Sequence, residues 1–178
     1  MKVKLELEKN IKTIEKDLKK NIDLIKYEGE YAGKQYCIFY IQNFVDNERV
    51  SNEVIKPINL CKLSTKDFTV DILMKQVLTV SGQKKIETLN ECEKLILEGN
   101  AVLFLDGEES AIMCALTKSE QRSVEEPPTS AVIFGPREGF VENIKTNTIL
   151  IRKRLPTTSL KIEQMTVVVY TKTKINIM

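Results

Sequence analysis

Leu7, Ile11, Ile14 and Leu18 recur at the three-to-four residue spacing of one helical face. They predict a helix over about residues 6–20, with Glu8–Lys12 and Glu15–Lys19 as favourable pairs on its far side. The period then changes. Residues 22–31, a Gly33-Lys34 turn and residues 35–42 predict a β-hairpin. Its second strand, Tyr36-Cys37-Ile38-Phe39-Tyr40-Ile41, is apolar throughout and belongs at the centre of a sheet covered on both faces. Asp46-Asn47 suits a cap for a helix over about 48–63, Ser64-Thr65 a cap for a shorter one to about Met74, and Val77–Val80 a short strand. Thr88-Leu89-Asn90-Glu91 has capping-box spacing, and the helix it opens turns Leu89, Cys92, Leu95 and Ile96 inward before Gly99 stops it. Ala101–Leu105 and Ala111–Leu116 predict a second hairpin across Asp106-Gly107-Glu108-Glu109.

A polar stretch from Lys118 to Thr129, with Pro127-Pro128 near its end, marks a boundary. It predicts a first subdomain over 1–126, and over 127–178 a linker, a glycine corner and the start of a second subdomain. In the second part, Val141, Ile144, Thr148, Ile151 and Leu155 make one mostly apolar helical face. Leu150 falls off that stripe, among Asn143, Thr146 and Lys153 with Ile149 on the flank, and reads as part of a contact surface. Asn10-Ile11-Lys12-Thr13 reappears as Asn143-Ile144-Lys145-Thr146, and each copy leads into strand, basic turn and strand. This order predicts an internal repeat. The fold class expected is therefore α/β, two similar subdomains of mixed sheet with helices, the second truncated at Met178 and continued in a longer protein.

Between the subdomains, Ala131–Phe134 reads as a strand that stops at Gly135-Pro136-Arg137-Glu138-Gly139-Phe140. Three readings of this corner stay open. It is a strand-to-helix connection whose arginine pairs with nearby carboxylates, an anion site at a helix start, or an interdomain contact. Glu138 and Glu142 weigh against the anion, because acids in a first helical turn already complement the helix dipole and repel a phosphate.

Composition narrows the function. With 42% apolar and 29% charged residues in 178, the chain reads as soluble and globular. A net charge of +2 argues for no polyanionic partner, and no apolar run approaches the ~20 residues that span a bilayer. Lys145–Lys174 nevertheless carries seven bases against the lone acid Glu163, while Asp106–Glu142 carries eight acids against three bases. Such opposed patches suit subunit contacts or an anionic membrane surface as well as plain solvation. Nucleic acid is not an expected partner, since stacking aromatics are scarce beyond Tyr170. Cys37, Cys61, Cys92 and Cys114 lie far apart in apolar surroundings and read as free thiols. No histidine is present, which removes the usual nucleophile–base pairs and histidine metal sites. No metal, cofactor or enzymatic activity is expected.

The run Arg122-Ser123-Val124-Glu125-Glu126-Pro127, then Gly135–Asn143, Thr146-Asn147-Thr148 and Leu150-Ile151-Arg152-Lys153-Arg154, spans 33 positions and resembles the A subunits of GerA-type spore germinant receptors. Where that resemblance leads one to expect a glycine followed by basic residues, this chain has Val167-Val168-Val169-Tyr170 before Thr171-Lys172-Thr173-Lys174. The resemblance implies a soluble, non-enzymatic N-terminal domain of a longer protein of the spore inner membrane, on its cytoplasmic side. It implies other receptor subunits as partners, self-association through a membrane region, and a role in assembly and signal relay during nutrient-triggered germination. The alternative is a binding domain for a small-molecule nutrient, in a cleft between the subdomains near Gly135–Phe140. Arg122, Glu125, Glu126, Arg137, Glu138, Glu142, Asn147 and Arg152 are the interaction or interdomain residues carried over, with Leu150 added from the helical wheel. Arg137 is expected to pair with the Glu125-Glu126 acids and fix the junction.

Overall fold

The computed structural model describes residues 1–118, 139–168 and 170–178. The first helix, α1 (Leu7–Asp17), buries Leu7, Ile11 and Ile14 on the expected stripe, with Leu18 buried at its end. No side chain of its own caps its start. Instead Asp106, from a turn a hundred residues on, accepts the Leu7 N–H at 3.1 Å. Glu15 pairs with Lys26 across to the sheet rather than with Lys19 on its own helix.

Strands β1 (Leu24–Tyr31) and β2 (Lys34–Ile41) form the expected hairpin. Its two-residue turn is Ala32-Gly33, both left-handed at φ 51° and 78°, one place before the expected Gly33-Lys34. That conformation matches the twist of the flanking strands. The β2 strand sits inside a five-stranded sheet, β1-β2-β4-β5-β3, in which β3 is Gln83–Ile86, β4 Ala101–Leu105 and β5 Ala111–Cys114. All the pairings between these strands are antiparallel. Because both faces are covered, β2 and β4 have no polar side to show. One face packs Cys37, Phe39, Ile41, Val102 and Phe104 against α1 and α5 (Leu89–Leu97). The other packs Tyr36, Ile38 and Leu103 against a layer of short helices over 47–77.

In that layer α2 (Asn47–Arg49), capped by Asp46, runs through a π-helical stretch, Val50–Ile55, into α3 (Lys56–Leu60). Pro57 explains the widening, since it has no N–H to offer the carbonyl four residues back. That carbonyl, on Glu53, takes the Thr79 N–H instead, at 3.2 Å. The next helical turn, α4 (Val70–Ile72), is capped by Thr69 rather than by Ser64-Thr65, and runs into a second π-helical stretch, Leu73–Val77. The strand expected at Val77–Val80 is therefore not there. One edge strand is β3, whose Lys84 and Lys85 face solvent, a common way of blunting a sheet edge. The capping box at Thr88 does not form its side-chain bond. Chain-start atoms do that work: Met1 O accepts the Leu89 N–H at 2.8 Å, and the Met1 amino group donates to Asn90 Oδ1 at 2.7 Å.

The four cysteines are free thiols; Cys37, Cys92 and Cys114 are buried and Cys61 half-buried. Burial pushes the three buried thiols up to about 12, far from reactive thiolate.

The second unit holds α6 (Ile144–Arg154) and the antiparallel pair β6 (Glu163–Val167) and β7 (Thr173–Ile177). Its order, helix then hairpin, is that of α1, β1 and β2. The correspondence differs from the one the repeated tetrapeptide suggests. Asn10 lies inside its helix and Asn143 caps the other, so they are not equivalent. The shift that puts Leu7 on Ile144 makes both helices start and end together at 11 residues, and it puts Asn10 on Asn147. Those two asparagines do the same thing. Asn10 clamps the Lys4 backbone through its N–H (2.9 Å) and carbonyl (2.6 Å), and Asn147 clamps Val141 likewise at 2.8 and 2.7 Å.

Candidate functional site

The two units meet along the segment that leaves α1, residues 17–23. Lys20 is left-handed at φ 69°, which turns the chain out of the helix towards the second unit. Beside it, Asn21 bridges Ile162 in parallel: Ile22 N–H donates to Ile162 O at 3.1 Å and Ile162 N–H to Lys20 O at 3.2 Å. The Ile162 side chain is fully buried, and Ile149 of α6 joins the core of the first unit. Lys161 donates to the Asp17 carbonyl at 2.8 Å, and Lys20 pairs with Glu163 at 2.8 Å on the surface.

Arg152 is the centre of this joint. Only 1% of it is exposed. Its Nε donates to Asp23 Oδ2 at 2.7 Å, and Nη2 donates to Asp23 Oδ1 at 2.6 Å and to Asn21 Oδ1 at 2.9 Å. The bidentate fork fixes angle as well as distance. Both acceptors are held from behind. Asn21 donates its amide to Leu18 O at 2.9 Å, and the Asp23 carbonyl takes the Gln42 N–H at 2.7 Å. Arg152 Nη1 is buried with no acceptor among the described residues, so the guanidinium is held by one side of its fork.

A pair of carboxylates lies near the joint. Glu93 of α5 is buried beside Asp17. Burial, then the charge of Asp17 and a hydrogen bond with it, raise the Glu93 carboxyl to about 7; the chain's amino terminus and Lys161 pull the other way.

The expected site residues divide accordingly. Arg122, Glu125, Glu126, Arg137 and Glu138 lie outside the described residues, and so does the expected Arg137 pairing. Glu142 is exposed just ahead of α6. Asn147 forms the clamp on Val141. Leu150 is 5% exposed rather than displayed on a polar face. The helical wheel placed it by counting apolar neighbours. In the folded chain α6 buries Thr148, Ile149, Leu150 and Arg152, with Ile144 and Ile151 half-buried and Leu155 exposed. The ion partner of Arg152 sits 129 residues away, and no local pattern reveals it. Asp23 and Asn21 are hidden from the sequence for the same reason. The one available signal was two polar residues, Asn21 and Asp23, beside the apolar Ile22 and Leu24 just after a helix.

Part of the expected nutrient cleft, residues 135–138, lies outside the described residues. A cleft of about 970 Å³ lies elsewhere, in the first unit between the start of the chain and the β4–β5 turn. Among the described residues, no helix is long and apolar enough to cross a membrane.

Comparison with known proteins gives the family. Residues 12–178 match the Bacillus/Clostridium GerA spore germination protein family. The chain belongs to that family. Among its relatives, spore germination protein KA of Bacillus subtilis is 30% identical over 89% of this chain and 30% of its own length. Spore germination protein A1 of the same organism is 34% identical over 82% of this chain and 29% of its length. The chain thus spans about a third of the curated relatives it matches. The fold is that of the N-terminal domain of the A subunit of the Bacillus megaterium germinant receptor GerK3, at a TM-score of 0.75 and 19% identity, over 99% of this chain and 65% of that one.

Proposed function

We propose that this chain is the N-terminal portion of a spore germinant-receptor A subunit, and that it acts in receptor assembly and in relaying the nutrient signal. The observation that carries the reading is the Arg152–Asp23 joint, a buried bidentate contact between two helix-and-hairpin units that share one plan. Such a joint holds one relative orientation and little else. Moving α6 a few ångströms breaks several charge-assisted bonds at once, so the units dock or release as a step. That is the behaviour of a relay element. The names of spore germination proteins KA and A1 support the cellular setting. In that setting the chain works at the spore inner membrane, on the cytoplasmic side, as part of a longer protein that self-associates through its membrane region and meets the other receptor subunits.

The test uses spores whose receptor carries Arg152→Met, Asp23→Asn, or the exchange Arg152→Asp with Asp23→Arg. Germination is followed by loss of refractility, and receptor amount by immunoblot. The expected result is a slowed or lost response in the single variants at comparable receptor level, with partial recovery in the exchange. A normal response in both single variants would end the relay reading.

A further inference from the structure

The turn between β6 and β7 departs from its counterpart in the first unit. There, Ala32-Gly33 closes the hairpin in two residues. In the second unit β6 ends at Val167 and β7 begins at Thr173, and the Lys172 N–H donates to Val168 O at 3.1 Å. Val168 is held left-handed at φ 66° and Lys172 at 47°, the former a costly conformation for a β-branched residue. The extra length carries an unusual set of side chains to the surface. Val168 is 58% exposed and Tyr170 96% exposed. Lys172 and Lys174 flank them, and neither has an acidic partner among the described residues. From Gln164 to Met178 the sequence has no acid at all. The root of the hairpin is anchored, through Ile162 on Asn21 and Asn176 on Thr148 at 3.0 Å. Five residues of extended strand, about 16 Å of chain, separate the tip from that root.

We infer that this tip is a docking point for an anionic lipid surface. A tyrosine at the very end of a projecting loop, an exposed valine beside it and lysines behind is the arrangement that suits the headgroup layer: ring and aliphatic carbons enter, ammonium groups stay at the phosphates. The charge decides among occupants. A second copy of the same basic tip repels it, and a neutral protein surface gives the two unpaired lysines nothing to meet. The contact holds the second unit at the membrane through a surface separate from the Arg152 joint.

The chain contains no tryptophan, so Tyr170→Trp in the 178-residue protein supplies a single fluorescent reporter at the tip. With phosphatidylglycerol-containing vesicles at low salt, its emission shifts to the blue and the protein floats with the lipid; with pure phosphatidylcholine it does neither. Raising the salt releases it. Lys172→Glu with Lys174→Glu lowers partitioning by at least about thirtyfold, the loss of two lysines near an anionic surface. Tyr170→Ser weakens it with the circular dichroism spectrum unchanged. The inference fails if neither vesicle is bound, if both are bound alike, if the lysine variants bind as before, or if the blue shift follows protein concentration and self-association instead of lipid.

Discussion

Substituting Arg152 by methionine removes the charge from the joint and keeps most of the aliphatic volume. Three hydrogen bonds go, two of them to a carboxylate at 2.7 and 2.6 Å. Asp23 is left in place with a side chain only 12% exposed, and Asn21 loses the donor to its Oδ1. Losing one partner of a buried pair strands the other charge, which costs about 3–5 kcal/mol, whereas replacing both by apolar groups of similar size is near neutral. The expected loss for Arg152→Met is therefore about 3–5 kcal/mol of docking between the units, at least a hundredfold rise in the undocked population. Asp23→Leu alone costs a similar amount, and the double substitution costs far less than the two singles together. Urea titration followed by circular dichroism gives the stabilities, and limited proteolysis over residues 139–178 shows whether the second unit leaves first. Single losses below about 1 kcal/mol, or singles that add without coupling, refute the assignment of Arg152 as the organising contact.

Glu93 and Gly99 give two further tests. The folded-state pKa of Glu93, about 7, lies above the 4.5 of an ordinary carboxyl, so between these values the folded chain holds a proton that the unfolded chain has released. The contribution is complete below pH 4.5 and is lost as pH rises towards and through 7, roughly 3 kcal/mol in all. Glu93→Gln should flatten that slope in a series of thermal melts, and an unchanged slope would assign it to other groups. Gly99 sits at φ 90° with a would-be Cβ 2.7 Å from the Phe44 ring. Gly99→Ala is expected to cost about 1–3 kcal/mol through backbone strain and a displaced ring, and an unaltered melting temperature would show that the ring moves freely.

The parts of the fold legible in the sequence are those where one local cause acts alone. Helix α1 and the β1–β2 hairpin come within a few residues of their expected limits, because a single apolar stripe and an all-apolar strand leave few alternatives. The misses have distant causes. The starts of α1 and α5 are capped by Asp106 and by the chain terminus, so capping-box spacing at Thr88 misleads. The edge strand β3 is Gln-Lys-Lys-Ile and hides its strand character behind the lysines that protect the edge. The tetrapeptide shared by Asn10–Thr13 and Asn143–Thr146 gives the repeat in the wrong register, while the less conspicuous match of Asn10 with Asn147 carries the same backbone clamp. Arg152 is nameable from the family resemblance, but its acceptors are not, since nothing near Asn21 or Asp23 in sequence points across to α6.

A joint between two similar units is most cheaply made apolar, and here Ile149 and Ile162 already supply an apolar contact. Adding a buried arginine and aspartate gains little net stability, because their desolvation offsets most of their attraction. What it adds is direction. Apolar side chains slide over one another at small cost, but a two-point fork loses both bonds when it rotates. The joint also concentrates its dependence in few atoms, with one guanidinium nitrogen still lacking an acceptor among the described residues. An influence of 1–3 kcal/mol at either unit, the usual size of coupling between distant sites, is then comparable with the energy that holds the orientation. A purely apolar joint of the same strength would dissipate such a push as a gradual slip. The buried ion pair converts it into a change of occupancy between docked and undocked.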